Sequence, residues 1–226
     1  MNFKEISDKF YGRRKGRPLT KQKQLLFDQA LFDYHLEDNE QLLSVLDEKA
    51  QNFEQVFLEI GFGHGEHIHW QAQNMPQTLW LGCELFENGI AHLLSLIHKS
   101  ALHDNLLIYT EHARKLLKQL PENYLDGAYL LFADPWPKKR HAERRFISQE
   151  NLALFYHVLK SGAELRIASD DCVLIAWIDE QLEIFNRFEV KLRCWRDQEI
   201  KIPMTKYEKK ALREGRIPKF WVVKKA

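Results

Sequence analysis

The sequence predicts an α/β fold, in which a doubly wound, mostly parallel sheet carries helices on both faces. Short apolar segments alternate with helical patterns along the chain, and this alternation is typical of parallel sheets. A chain of 226 residues, 45% hydrophobic and 29% charged, can bury one full core but not two. We therefore expect a single domain over residues 25–226, preceded by an arm at residues 1–24.

Seven apolar runs of strand length are expected to form the sheet. They lie at 56–60, 78–83, 105–109, 125–133, 163–168, 188–195 and 220–223. Apolar residues at helical spacing predict helices in the connections between these strands. The predicted helices lie at 66–73, 87–99, 113–120, 148–160 and 172–185.

The arm is strongly basic, although the formal net charge of the whole chain is only +1. From residue 9 onward it has a run of cations with no acidic residue among them, namely Lys9, Arg13, Arg14, Lys15, Arg17, Lys21 and Lys23. Because Gly12, Gly16 and Pro18 interrupt this run, we expect the arm to be mobile when free and to order on a polyanion. A solubilising tail is the alternative interpretation.

Several classes of protein are disfavoured by the sequence. No apolar run approaches the length of a membrane span, and the N-terminus is charged where a signal peptide is apolar, so we expect a cytoplasmic protein with no membrane partner. Three widely spaced cysteines predict neither a disulfide framework nor a zinc site. His67 and His69 would diverge on a helix, so no metal site is expected with His64.

The turn after the first strand predicts a nucleoside site. Gly61, Gly63 and Gly65 alternate between this strand and a helix, and such glycines let the backbone approach a ligand closely. Glu84 ends the second strand, where an acid can accept hydrogen bonds from both ribose hydroxyls. The spacing is not the G-x-G-x-x-G of dinucleotide sites, so S-adenosylmethionine is the expected cofactor and a nicotinamide dehydrogenase is disfavoured. A structural turn is the alternative.

The segment from Asp134 to Arg145 predicts a site for a nucleic-acid base and its phosphates. Pro135 and Pro137 stiffen the backbone around Trp136, and an indole on a stiff loop contributes about 1–3 kcal/mol when a base stacks on it. Cations suited to phosphate contacts follow at Lys138, Lys139, Arg140, Arg144 and Arg145. A solvated basic loop is the alternative.

These motifs resemble the bacterial tRNA (guanine-N7-)-methyltransferases from Val56 onward. The resemblance rests on the segments Glu59–Gly65, Asp134–Lys138 with Arg140, His141, Arg144 and Arg145, Ala168–Asp170, and Thr205–Glu208. It implies a seven-stranded, Rossmann-like methyltransferase fold. It also implies transfer of a methyl group from S-adenosylmethionine to N7 of the variable-loop guanosine of tRNA, which would make tRNA the partner.

The resemblance implies cofactor contacts for Glu59, Glu84 and Asp134 and substrate contacts for Lys138, Asp170 and Thr205–Glu208, and the motifs described above add the other site residues. Cofactor contacts are expected from Glu59, Gly61, Gly63, Gly65, Glu84, Glu111, His112 and Asp134. Substrate contacts are expected from Trp136, Lys138, Arg140, Arg144, Arg145, Asp170, Thr205, Lys206, Tyr207 and Glu208. The family usually has an Asp near the adenine amino group, where this chain has His112 preceded by Glu111, so the adenine contact is open between the two.

The expected chemistry needs few groups. Guanine N7 carries a free lone pair, so an in-line methyl transfer depends on alignment, and a fixed carboxylate stabilises the purine as positive charge develops. Asp134 is the catalytic candidate, while Asp170 or Glu208 would read the N1–H and N2–H edge of guanine. Helix capping is the alternative role for Asp170 and for the Thr205 and Glu208 pair.

Three functions remain open at this point. The first is methylation of N7 of guanosine in tRNA, and the second is methylation of another RNA base position from the same cofactor. The third is a catalytically silent RNA-binding module, which the His112 departure makes worth testing. The sequence leaves open whether the protein is a monomer or a homodimer.

Overall fold

A computed structural model describes residues 11–100, 104–195 and 204–226. Its seven strands are β1 (Gln55–Ile60), β2 (Thr78–Cys83), β3 (Leu106–Tyr109), β4 (Leu125–Leu131), β5 (Leu159–Ser169), β6 (Phe188–Trp195) and β7 (Lys219–Lys225). Its helices include α1 (Lys21–Tyr34), α2 (Leu42–Ala50), α3 (Glu66–Asn74), α4 (Glu87–Lys99), α5 (Ala113–Gln119), α6 (Gln149–Val158), α7 (Cys172–Ile184) and α8 (Lys206–Arg213). The predicted α/β fold is confirmed.

All seven strands belong to one sheet, in the spatial order β3-β2-β1-β4-β5-β7-β6. The pairs from β3 to β5 are parallel, whereas β7 runs antiparallel to both β5 and β6. The strand order reverses between β1 and β4, where Ile60 lies beside Leu130 in register. Ligands of open α/β sheets bind beyond the carboxyl ends of the strands at such a reversal, so this register fixes where the site is expected.

The core consists of two apolar layers, one on each face of the sheet. Leu46 of α2, Leu117 of α5 and Phe155 of α6 belong to the layer on one face. Ile68 of α3 and Leu94 of α4 belong to the layer on the other. Burial on both faces explains why the central strands are almost uniformly apolar rather than alternating.

Two helices, α1 and α2, were not predicted. Leu26, Phe27, Ala30 and Leu31 of α1 pack partly buried against the core beside Tyr34. Leu25 and Phe32 are 57% and 83% exposed, so apolar residues on the outer face blur the stripe that marks an amphipathic helix in a sequence. Thr20 caps α1 by accepting a hydrogen bond from the Lys23 amide. Residues 21–24, assigned to the mobile arm, therefore lie in a helix, while the division into arm and domain stays a prediction.

Among the described residues, no helix is both long and apolar enough to cross a membrane.

Candidate functional site

A cavity of about 860 Å³ opens at the carboxyl ends of β1, β2 and β4, at the reversal of strand order. The predicted site residues that line it are Gly61, Gly63, Glu84, His112, Asp134, Trp136, Arg144, Arg145 and Tyr207. Segments more than a hundred residues apart therefore meet in one place, as the sequence predicted. The predicted site residues outside its lining are Glu59, Gly65, Glu111, Lys138, Arg140, Asp170, Thr205, Lys206 and Glu208.

The glycine turn supplies one wall of the cavity. Gly61, Gly63 and Gly65 have φ angles of 70°, 57° and 79°, in the left-handed region that side chains disfavour. A Cβ on Gly61 would meet nothing within 4 Å, whereas a Cβ on Gly63 would lie 2.8 Å from the Tyr207 ring. A Cβ on Gly65 would instead clash with Leu93 of α4. Gly65 therefore serves helix packing, Gly63 makes room for the Tyr207 ring, and Gly61 is the one of the three that leaves open space.

Glu84 stands at the end of β2 with its carboxylate fixed by three backbone amides. One oxygen, Oε2, accepts from Gly63 N–H at 2.8 Å, and Oε1 accepts from Leu85 and Phe86 N–H at 2.8 and 3.0 Å. Burial raises the pKa of Glu84, the three amides oppose this, and the charge of Asp134 adds to the rise. The carboxylate is thus held in one orientation and has acceptor capacity left for ligand hydroxyls.

The loop after β4 has an unusual backbone. Phe132 and Trp136 have φ angles of 57° and 43°, which cost energy for residues with side chains. Arg145 holds this loop in place, because its guanidinium donates to the carbonyl oxygens of Pro135 and Trp136 at 3.1 to 3.3 Å. Its guanidinium also stacks on Trp177, 4.7 Å from the ring centroid.

Arg145 therefore occupies a place different from the one that the sequence suggested. It is 5% exposed, and its donors are directed to the loop carbonyls rather than to solvent. A direct contact with phosphate is not supported by this placement. The structural role is bracing the segment that carries Asp134 and Trp136.

Trp136 lies in a cluster of rings and cations at the rim of the cavity. The guanidinium carbon of Arg144 is 5.0 Å from the Trp136 ring centroid and 4.6 Å from that of Tyr11. The Tyr11 and Trp136 rings meet edge to face at 6.3 Å, and His141 contacts Trp136 edge to face at 5.8 Å. The indole is half-buried, so the stiff loop predicted around it does present an aromatic surface to the cavity.

Glu84, Asp134 and Tyr207 all line the cavity, and the two carboxylates interact electrostatically with the Tyr207 hydroxyl. Burial raises the pKa of Tyr207, and the charges of Glu84 and Asp134 raise it further. Asp134 is exposed at the open side of the cavity. Glu84 and Asp134 thus place negative charge beside Tyr207, and a ligand group that is cationic or becomes so is favoured at that part of the cavity.

The structure distinguishes the two candidates for the adenine contact. His112 lines the cavity and caps α5, its Nδ1 accepting from Arg114 N–H at 3.2 Å. Glu111 lies outside the lining, where its carboxylate is 3.8 Å from Arg14 and 3.9 Å from Lys115. The adenine contact stays a prediction for both residues; because Nδ1 of a neutral His112 already accepts from Arg114, its Nε2 would present a donor to a ligand.

Glu59 lies behind the cavity rather than in it. It is 2% exposed and accepts a 2.8 Å hydrogen bond from His67 Nδ1. Gln71 donates to His67 Nε2 at 3.1 Å and to the Tyr129 hydroxyl at 3.3 Å. This buried network ties α3 to the sheet beneath the glycine turn, and a cofactor contact by Glu59 stays a prediction.

The remaining substrate candidates lie beside the cavity. Asp170 accepts from Arg216 Nε at 2.7 Å, and the helix after it is capped by Asp171 instead. Thr205 caps α8 by accepting from Glu208 N–H at 3.1 Å, as the capping alternative predicted, and Glu208 is buried. Their predicted substrate contacts stay predictions.

Exposed cations flank the opening of the cavity on two sides. Lys138, Lys139 and Arg140 are exposed around a short 3₁₀ helix, Lys139–Arg144. On α8, Lys206 and Lys209 line a shallow groove with Arg213. No group of acidic, histidine or cysteine side chains in the described residues has the arrangement of a metal site.

Sequence reasoning missed the contribution of the arm to the cavity. Tyr11, Gly12 and Arg13 line it, although they had been assigned to a mobile tail. Phe86, beyond Glu84, also lines it. An aromatic residue beside the basic run was the one available signal, and its position relative to Trp136 depends on tertiary structure.

Comparison with known proteins agrees with this arrangement. A family model described as "Putative methyltransferase" matches residues 53–220. A tRNA (guanine-N(7)-)-methyltransferase of Granulibacter bethesdensis is 40% identical over 228 residues, covering 98% of this chain and 96% of the relative. The protein of the same name from Paramagnetospirillum magneticum is 43% identical over 173 residues, with 75% and 72% covered.

Solved structures share the fold at low sequence identity. An antibiotic-related methyltransferase has a TM-score of 0.60 at 17% identity, covering 84% of this chain and 96% of that one. The 16S rRNA methyltransferase KamB has a TM-score of 0.58 at 12% identity, with 83% and 95% covered. The fold, the cavity and the relatives together show that this chain belongs to the tRNA (guanine-N(7)-)-methyltransferase family.

Proposed function

We propose that this protein transfers a methyl group from S-adenosylmethionine to N7 of the variable-loop guanosine of tRNA. The observation that carries the proposal is the meeting of Glu84, Asp134 and Trp136 in one cavity at the strand reversal. The family relationship supports the cofactor and the substrate. Since tRNA is processed in the cytoplasm, we propose that compartment as well.

The residues present suit the cofactor. Gly61 leaves open space where a side chain would stand, and Glu84 is fixed in position to accept from ribose hydroxyls. His112 is the adenine contact that we propose, because it lines the cavity beyond β3. When bound there, S-adenosylmethionine supplies a methyl group already activated by its sulfonium charge.

Asp134 is the catalytic residue that we propose. Guanine N7 has a lone pair and needs no base to expose it, so orienting the base contributes most of the rate. The purine gains positive charge as the new bond forms, and the carboxylate of Asp134 stabilises that charge. Phe132 and Trp136 on either side have positive φ angles and Arg145 braces the loop, which fixes the backbone from which the carboxylate projects.

Substrate binding is proposed for the cations around the opening. Lys138 and Arg140 on one side and Lys206 on the other would contact phosphates and give affinity that depends on salt. The cations of the N-terminal arm, among them Arg13, Arg14 and Lys15, would add to this attraction. Asp170 and Glu208 remain the proposed readers of the opposite guanine edge.

The test is incubation of the protein with labelled cofactor and an unmodified tRNA transcript, followed by borohydride and aniline cleavage at N7-methylguanosine. We expect one cut, in the variable loop. A transcript with adenosine at that position is the matched control and is expected to stay uncut. Methyl incorporation without the cut would identify another base atom, and tRNA binding without incorporation would identify a silent module; either result contradicts the proposal.

A further inference from the structure

Residues 11–17 are docked on the body of the protein by specific hydrogen bonds. The side-chain amide of Asn88 accepts from Gly16 N–H at 2.7 Å and donates to the Arg17 carbonyl at 2.7 Å. The Arg14 carbonyl accepts from Glu87 N–H at 2.9 Å. A backbone N–H group and two backbone carbonyl groups of the segment thus have partners on the body of the protein, as a specific docking site would provide.

The docking also completes a helix terminus. Helix α4 begins without a side-chain cap, since Phe86 occupies its N-cap position. Its first amide, that of Glu87, donates to the Arg14 carbonyl instead, so the segment replaces the missing cap. A Cβ on Gly16 would lie 2.8 Å from Asn88 Oδ1, which explains why a glycine occupies this position.

The docked segment places an aromatic ring at the cavity. Tyr11 and Trp136 both contact the guanidinium of Arg144, at 4.6 and 5.0 Å from their centroids. Cation–π contacts of this kind restrict where a guanidinium can lie. The Arg144 Nε is buried and has no hydrogen-bond partner among the residues that the structure describes, while the residue as a whole is half-buried and lines the cavity.

We propose that Tyr11 is a positioning residue for RNA binding: the segment at residues 11–17, docked through Asn88, holds Arg144 where its guanidinium contacts a phosphate beside the target nucleoside. This proposal rests on the proposed function and extends it to residues that were assigned to a tail. Within the arm, residues 11–17 thus form a docked wall of the cavity. Arg144 is oriented before RNA arrives, which lowers the entropy cost of binding.

The first experiment measures the dependence of tRNA affinity on salt. A protein that loses one phosphate contact loses roughly 0.7 to 1 from the slope of log K against log salt. We expect this decrease for Arg144→Ala and also for Tyr11→Ala, whereas Tyr11→Phe keeps the ring and the wild-type slope. The double variant is expected to match the single variants, because both remove the same contact. Additive losses, or an unchanged slope for Tyr11→Ala, would overturn the proposal.

The second experiment tests the docking through Asn88. Asn88→Asp keeps the acceptor for Gly16 but loses the donor to Arg17, while its charge in the first turn of α4 stabilises that helix. We expect kcat/KM for tRNA to fall roughly tenfold in Asn88→Asp and Asn88→Ala. The affinity for S-adenosylmethionine is expected to stay within about threefold of wild type, since Asn88 lies outside the cavity lining. Asn74→Ala is the matched control, an exposed amide that donates to the Trp70 carbonyl.

Limited trypsin digestion gives a readout that does not depend on activity. Cleavage after Arg13, Arg14 and Lys15 is expected to accelerate in the Asn88 variants but not in Asn74→Ala. Unchanged cleavage and unchanged kcat/KM in both Asn88 variants would refute the docking role. Wild-type protein that fails to methylate tRNA would refute the proposed function instead, so the two failures are distinguishable.

Discussion

Replacing Glu84 with Gln is the sharpest single test of the cofactor site. The carboxylate accepts three backbone hydrogen bonds, one on Oε2 and two on Oε1. An amide has only one oxygen, so Gln serves the two amides of Leu85 and Phe86 and turns its NH₂ group toward Gly63 N–H. That amide then loses its acceptor and faces another donor.

The magnitude follows from these bonds. Leaving one amide unsatisfied costs about 1–3 kcal/mol, and hydrogen bonds to a charged acceptor contribute about 1.5–3 kcal/mol each. Because burial raises the pKa of Glu84, its ionised form is costly in the folded protein, and Gln removes that cost. The free energy of unfolding should therefore change little, while the Kd for S-adenosylmethionine rises by roughly 10- to 100-fold.

Isothermal titration with S-adenosylmethionine at pH 7.5, beside thermal unfolding of the same samples, separates the two effects. Glu54→Gln, at an exposed acid before β1, is the matched control and is expected to leave Kd unchanged. A folded Glu84→Gln protein with a Kd within about twofold of wild type would refute the role of Glu84 in cofactor binding.

Four further outcomes are expected. Asp134→Asn should lower kcat by roughly 100-fold with tRNA affinity retained in a filter-binding assay, and equal losses in both would contradict a charge-stabilising role. Arg145→Ala should destabilise the protein by about 3 kcal/mol in urea unfolding, because the carbonyls of the Trp136 loop lose their buried donor; a value near zero would contradict the bracing role. The affinity for S-adenosylmethionine should weaken as pH falls through the pKa of Glu84, which burial raises above its usual 4.5, and calorimetry across pH should show no such trend in Glu84→Gln. Burial and the charge of Lys206 lower the pKa of His64 below its usual 6.5. As pH drops below about 6.5, the unfolded chain therefore binds a proton at this histidine before the folded protein does, and the free energy of unfolding falls. His64→Asn should flatten this dependence of thermal unfolding on pH, and an unchanged dependence would contradict the reasoning.

The strongly patterned parts of the fold were predictable. The predicted bounds of β2 and α4 match the structure, because β2 is buried throughout and α4 has a regular stripe of buried residues from Gly89 to Ile97. The start of β5 was placed four residues too late, at 163 rather than Leu159. The exposed residues 161 and 162 interrupt its apolar pattern, and only pairing with its neighbours extends the strand through them.

The candidate site likewise contains residues whose position the sequence predicts and residues whose position it does not. Glycines at a strand end and acids at neighbouring strand ends must meet in a parallel sheet, so Glu84 and Asp134 were accessible to sequence reasoning. Arg145 looked identical to its neighbour Arg144 in the sequence, yet one braces a loop and the other lies at the cavity rim. That difference depends on Trp177 and on the path of the loop carbonyls, neither of which a local pattern encodes.

The position of β7 between β5 and β6 has a consequence for how the enzyme matures. β6 precedes β7 in the chain but reaches the sheet only through it, so during synthesis β6 emerges with no strand to pair with. Helix α8, which carries Tyr207 to the cavity, lies in the connection between them. The cofactor half of the sheet, from β1 to β4, can form earlier from shorter-range contacts. Assembly of the catalytic pocket is thus delayed until β7 is inserted between β5 and β6. A nascent or stalled chain would hold strands β1 to β4 without Tyr207 of α8, which completes the cavity lining.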